Sequence, residues 1–236
     1  MSVTGIFFIP SSPHEPSPVQ HIVENLTFLH NPQPAGVWRL EHRLFRETTS
    51  LLAGPDERNS SSLRYLQVLQ MSQFPDRSYI AVTPNTSQAP QIPNPSNDNA
   101  SAEGMTICAM PSGSSAEEMM QLIVTKMGAL WTRKQGLQVA QGYIFEVEDY
   151  KIRLGDIKQP QNGHVRGCVI DIEWAPAQAD KGENNDIELD VASGQAAIRS
   201  FWQGLDVPGA KEFINVPGLG KGDFDLVRQY LEMLRL

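Results

Sequence analysis

Two short motifs in this sequence place carboxylates close together on segments with the alternating pattern of β-strands. The first is Glu146-Val147-Glu148 and the second is Asp171-Ile172-Glu173. Because side chains two residues apart point to the same face of a strand, each motif predicts a pair of carboxylates on one face. Carboxylate oxygens are good ligands for divalent cations, so such pairs could hold a catalytic metal ion.

Tunnel-type triphosphatases carry carboxylate pairs of this kind inside an antiparallel barrel and place a lysine after the first pair, on the same face. In this sequence Tyr150 stands at that position, and the neighbouring Lys151 is predicted to point to the opposite face. Basic residues that could hold a triphosphate are few, since the formal net charge is −8. A solvated outer face is therefore the favoured interpretation of the carboxylates, and a metal-dependent triphosphatase is the alternative.

A glycine-rich segment near the C-terminal end has some likeness to a phosphate-binding loop. It reads Gly218-Leu219-Gly220-Lys221-Gly222. A Walker loop needs a glycine where Asn215 stands and a serine or threonine where Gly222 stands. Without that hydroxyl there is no magnesium ligand, so a flexible turn is favoured.

Histidine and cysteine show no pattern of a nucleophilic or zinc site. His42 falls on the apolar face of a predicted strand, where a core histidine is favoured over a ligand or base. Cys108 and Cys168 lie in apolar segments with no second ligand at zinc spacing, so both are predicted to be buried thiols. The sequence therefore predicts no catalytic, cofactor-binding or metal-binding residue, and the partner-binding residues stay unknown.

Apolar periodicity predicts eight strands and four helices. The strands are expected at Val3–Ile9, Val37–Glu47, Leu63–Met71, Ser78–Thr83, Met105–Met110, Tyr143–Glu148, Tyr150–Ile157 and His164–Trp174. Three of the helices are expected to begin after the cap Ser17, near Val191 and at the cap Asp223. This mixture of segregated strands and helices indicates an α+β fold whose antiparallel sheet curls or closes like a barrel and is flanked by helices.

The fourth helix is predicted in the middle of the chain, from a capping box of Ser114 and Glu117 to Gln135, with Gly136 as its stop. Its apolar residues recur at helical spacing and are expected to face the core. They are Met119, Leu122, Ile123, Val124, Met127, Leu130 and Trp131.

Composition limits the class of protein. Hydrophobic residues make up 40% of the 236 residues, which favours one soluble domain over 1–236. Residues 84–104 are rich in Asn, Pro and Ser and are predicted to be a disordered insertion. The acidic charge disfavours direct binding to nucleic acid. The apolar run before Pro10 is too short for a signal peptide or membrane span, so a cytosolic or nuclear protein without membrane contact is expected.

The order of these segments resembles the fungal form of the Mediator subunit 20 family, which is related to the TATA-binding protein. The resemblance rests on the block from Ser114 to Trp174, the opening Val3–Pro10 and the closing Asp225–Leu236. It implies a barrel-like sheet flanked by helices and a non-enzymatic, nuclear coactivator subunit of the Mediator head module. It also implies a heterodimer with Mediator subunit 18, a tether through a segment of Mediator subunit 8, and a role in relaying regulatory signals to RNA polymerase II and, indirectly, to the TATA-binding protein.

Overall fold

The computed structural model describes residues 2–11, 16–48, 64–83, 105–176, 191–214 and 222–235. The helices in these ranges are α1 (Pro18–His30), α2 (Ser114–Thr125), α3 (Val191–Gly204) and α4 (Gly222–Met233). The strands are β1 (Val3–Pro10), β2 (Gln33–Glu47), β3 (Tyr65–Met71), β4 (Arg77–Thr83), β5 (Thr106–Pro111), β6 (Trp131–Val147), β7 (Tyr150–Lys158), β8 (Val165–Trp174) and β9 (Lys211–Ile214).

The strands form one antiparallel sheet in the order β5-β4-β3-β2-β6-β7-β8-β1-β9. This order has two ends, so the described strands do not close into a barrel. The predicted α+β class, with a barrel-like antiparallel sheet flanked by helices, is confirmed.

The chain divides into two compact units. Unit 1 contains residues 1–39 and 138–217 together with 236, and unit 2 contains 40–137 and 218–235. The long strands β2 and β6 therefore contribute residues to both units. A single domain over 1–236 stays a prediction, and the predicted insertion at 84–104 lies outside the described residues.

In unit 1, α1 and α3 pack against one face of the strands. The core of this face includes Ile22 and Leu26 of α1, Phe201 of α3, and Ile170 and Ile172 of β8. Fully burying an aliphatic side chain contributes about 1.5–3 kcal/mol, so these contacts fix both helices on the sheet. As predicted, the inward face of β8 carries its alternate apolar residues. They are Cys168, Ile170, Ile172 and, partly buried, Trp174.

In unit 2, the strands are covered on both faces. Met120 and Ile123 of α2 pack in one cluster with Val68 of β3. Leu69, the next residue of β3, pairs with Tyr79 of β4. The ring of Tyr79 contacts the ring of Phe224 of α4 edge-on, with 5.9 Å between the ring centroids. Because consecutive strand residues point to opposite faces, α2 and α4 lie on opposite sides of these strands.

The prediction of one helix from Ser114 to Gln135 is wrong in its second half. The α2 helix ends at Thr125, and β6 begins at Trp131 and runs for 17 residues. The local pattern of Leu130–Gln135 suits either structure, and pairing beside β2 in the sheet decides for the strand.

The α2 helix begins at Ser114 as predicted, but its predicted capping box and apolar face are wrong. Gly113, at φ +79°, is the N-cap, and no side chain in the described part of the chain caps this end of the helix. The buried residues of α2 are Ala116, Met120 and Ile123. Most of the predicted stripe is exposed instead, namely Met119, Leu122, Val124 and Leu130. At α1 the prediction is confirmed, because the Val19 amide donates to Ser17 Oγ at 3.2 Å.

Candidate functional site

The carboxylates of β8 are brought together with an arginine of β7. Arg153 lies directly opposite Asp171 in the antiparallel register. Its Nη1 donates to Asp171 Oδ1 at 3.2 Å and its Nη2 donates to Glu173 Oε2 at 2.6 Å. The side chain of Asp171 is fully buried and that of Arg153 is 8% exposed. One guanidinium therefore joins both carboxylates inside unit 1.

Cations of the protein itself offset the negative charge of these two carboxylates. Burial acts to raise the pKa of Glu173. The hydrogen bond and positive charge of Arg153, with smaller contributions from a hydrogen bond to Ser2 and the charge of Lys151, outweigh burial and leave the pKa lowered. A divalent cation at these oxygens would have to displace a buried guanidinium or lie beside it. Since like charges repel strongly where the dielectric is low, the arrangement suits a structural ion pair better than a metal site.

Two details of the sequence interpretation are wrong at this site. The turn between β6 and β7 contains Glu148, at φ +49°, so Glu148 does not share the strand face of Glu146. The same turn sets Lys151 opposite Glu146, with Lys151 Nζ 3.5 Å from Glu146 Oε1. Lys151 therefore lies on the face of Glu146, because directly paired residues share a face.

The solvated outer face predicted for both carboxylate pairs is correct for one pair and wrong for the other. The Glu146 side chain is 59% exposed, whereas Glu173 is 25% exposed and Asp171 is buried. Burial of Asp171 is possible because Arg153 satisfies its charge.

His42 lies in the interior of unit 2, as predicted. Its Nε2 is 3.0 Å from Gln67 Oε1. Burial lowers the pKa of His42 to about 4, although the hydrogen bond to Gln67 acts in the opposite direction. This histidine is therefore neutral at pH 7 and enclosed, which suits a core residue rather than a general base.

The remaining sequence candidates separate in the structure. Cys168 is buried as predicted, and burial raises the pKa of its thiol, but Cys108 is exposed on the end strand β5, so that prediction is wrong. Apolar neighbours in the sequence do not bury a residue at the end of a sheet. No group of three or more His, Cys, Asp or Glu suited to a metal ion occurs among the described residues. The segment Gly218–Lys221 lies outside them, and Gly222 begins α4.

Each unit exposes large apolar side chains that could meet a partner. In unit 1, Phe28 is 89% exposed. Its companions in that unit are Leu29, Val37 and Tyr143, and those in unit 2 are Met119, Leu122, Val124 and Leu130. Exposed apolar side chains are common singly, and a protein-binding site is indicated where several of them form one contiguous patch.

A family model decides the identity. Residues 1–235 match the TATA-binding related factor (TRF) of subunit 20 of the Mediator complex. The chain belongs to this family. Its members are Mediator subunits involved in transcription regulation.

The other comparisons add little to the family assignment. A search of curated proteins gave no match. A solved structure titled "The Siderocalin Ex-FABP functions through dual ligand specificities" is 7% identical and covers 79% of this chain and 98% of its own, with a TM-score of 0.16. A score this low carries no argument about the Mediator subunit. Among the described helices of this chain, none combines the length and apolar character needed to span a bilayer.

Proposed function

We propose that this chain is a non-enzymatic subunit of the Mediator head module, where it helps to relay regulatory signals to RNA polymerase II. The family match over residues 1–235 carries this proposal. The ion pairs of Arg153 with Asp171 and Glu173 support the non-enzymatic part, since they occupy carboxylates that a metal-dependent hydrolase would use. The net charge of −8 favours protein partners over direct contact with nucleic acid.

The proposed partners are Mediator subunit 18, as a heterodimer, and a segment of Mediator subunit 8, with the nucleus as the site of action. Exposed apolar side chains such as Phe28, Tyr143 and Leu122 support a role in assembly. Apolar and aromatic residues of this kind form the buried centres of protein interfaces. RNA polymerase II and the TATA-binding protein would be reached indirectly, through the assembly.

Co-expression with Mediator subunit 18 tests the proposed partner. We expect a one-to-one complex by light scattering, and the chain alone should be poorly soluble or self-associated. The complex should persist at 1 M salt, since such salt shortens the Debye length to roughly 3 Å while leaving apolar contacts largely intact. A well-behaved monomer with no affinity for subunit 18 would contradict the proposal.

A hydrolysis assay tests the alternative function of a metal-dependent triphosphatase. We expect no turnover of nucleoside triphosphates or RNA 5′-triphosphates by the purified protein with Mg²⁺ or Mn²⁺. The matched variants are Glu146→Ala, which changes an exposed carboxylate, and Glu173→Ala, which changes a paired one. Turnover by the unaltered chain that both variants abolish would replace the assembly role with catalysis.

A further inference from the structure

Unit 2 contains an open groove of about 350 Å³ between α2 and the strands β2 and β6. Its floor is formed by Phe45 and Met120, which are almost fully buried. Val124 stands at its helix side and is 55% exposed. The groove thus combines an apolar floor with an accessible apolar wall, which suits a large apolar side chain from another molecule.

Charged side chains on the two walls differ in sign. The strand wall carries Arg43 and Arg133. Arg43 is already engaged, because its Nε donates to Glu41 Oε1 at 2.8 Å. Arg133 is exposed and makes no ion pair with any residue that the structure describes. The helix wall carries Glu117, in the first turn of α2.

We propose that this groove binds a segment of a partner protein that offers one large apolar side chain with a carboxylate beside it. The apolar side chain would fill the space above Phe45, against Val124, and the carboxylate would pair with Arg133. The volume is near the lower end of ligand sites, roughly 300 to 1,000 Å³, which suits one or two side chains rather than a whole helix. The site goes beyond the proposed function and does not depend on it.

A library of random 12-residue peptides displayed on phage is the probe, selected against the full chain. Enriched peptides should contain Phe, Leu or Trp next to Asp or Glu, and their affinity can be measured by fluorescence anisotropy. Arg133→Glu and Val124→Glu should each weaken binding at least tenfold. Glu117→Gln should tighten it, because it removes the negative charge of the opposite wall.

Two matched controls distinguish binding in the groove from nonspecific electrostatic or hydrophobic binding elsewhere on the surface. Lys134→Glu makes the same charge change on the next residue of β6, which points to the other face. Leu122→Glu alters the opposite flank of α2, since residues two apart on a helix point about 200° apart. Both controls should bind within twofold of the unaltered chain. Circular dichroism establishes that all variants are folded.

The proposal is overturned if selection enriches no peptide, if the enriched peptides lack acidic residues, or if Lys134→Glu weakens binding as much as Arg133→Glu. Co-purification with Mediator subunit 18 should be unchanged in Arg133→Glu, because Arg133 is not one of the exposed apolar side chains that support the assembly role. Failure of the groove and failure of the assembly role therefore give different results.

Discussion

Each unit buries polar side chains on its strands, but the two units satisfy them differently. In unit 1, Arg153 pairs with Asp171 and Glu173, so the interaction is between full charges of opposite sign. In unit 2, His42 and Gln67 share one hydrogen bond, and no described protein group is bonded to His42 Nδ1 or Gln67 Nε2. The stability of unit 1 therefore depends on the ion pairs of Arg153, and the stability of unit 2 depends on His42 remaining neutral.

This difference separates the pH ranges in which the two units weaken. The pKa of Glu173 lies below its ordinary value of 4.5, so its contribution is present above pH 4.5 and is lost as the pH falls through the folded-state pKa. The pKa of His42 falls from 6.5 to about 4, so the unfolded chain takes up a proton first. Stability from unit 2 should thus begin to fall already below pH 6.5.

The largest effect is expected for Arg153→Met. This change leaves the fully buried Asp171 and the partly buried Glu173 without the guanidinium, and it should lower the free energy of unfolding by about 3–5 kcal/mol. The matched control is Lys151→Met on the same strand, which removes an exposed ion pair and should cost less than about 1 kcal/mol. Chemical denaturation measures both. Equal costs would show that water, rather than Arg153, satisfies the carboxylates.

The next effect is the pH dependence caused by His42. Between pH 7 and pH 4 it should lower the stability by an amount on the order of 3 kcal/mol, because only the unfolded chain is protonated over most of this range. His42→Leu should remove that part of the slope, whatever its effect at pH 7. Urea denaturation of both proteins at pH 7, 6 and 5 measures the difference. Parallel curves for the two proteins would contradict the lowered pKa.

Helix capping gives a smaller contrast between the units. In unit 1, Ser17 caps α1 and also donates to Asp156, so Ser17→Ala should cost about 1 kcal/mol. In unit 2, Ser114 makes no cap bond, because Gly113 holds the cap position, and Ser114→Ala should change stability by a few tenths of a kcal/mol at most. Thermal unfolding measures the stability lost in each variant. A larger loss of stability for Ser114→Ala than for Ser17→Ala would show that Ser114 does cap α2.

The smallest effect is expected for deletion of residues 85–99. The sequence of this segment is too polar to bury much apolar area, so the melting temperature should change only slightly. The same melting curves test the predicted single domain, since one domain gives one cooperative transition. Two separate transitions would assign the two units to independent domains.

Strong local patterns were predicted well, and features set by distant residues were not. The ends of β7 and β8 were placed to within a residue, because both strands alternate clearly and are separated by the turn signal Asn162-Gly163. The start of β6 at Trp131 was missed, since its place beside β2 depends on residues far away in the chain.

The candidate site shows the same limit. The sequence located Asp171 and Glu173 on one strand face but gave no reason to connect them with Arg153. That contact depends on the register between β7 and β8, which no local pattern reveals. The alternation of Lys151 and Arg153 with apolar residues was the available signal. This alternation indicated that Lys151 and Arg153 share one face of β7, but it did not indicate which strand pairs with β7.

The most direct test is to recover the tagged chain from nuclear extract and quantify its partners by mass spectrometry. We expect Mediator subunits in stoichiometric amounts, with subunits 18 and 8 the last to be lost as salt is raised. Recovery of the chain without Mediator subunits, or its absence from the nuclear fraction, would contradict a role as a Mediator head subunit.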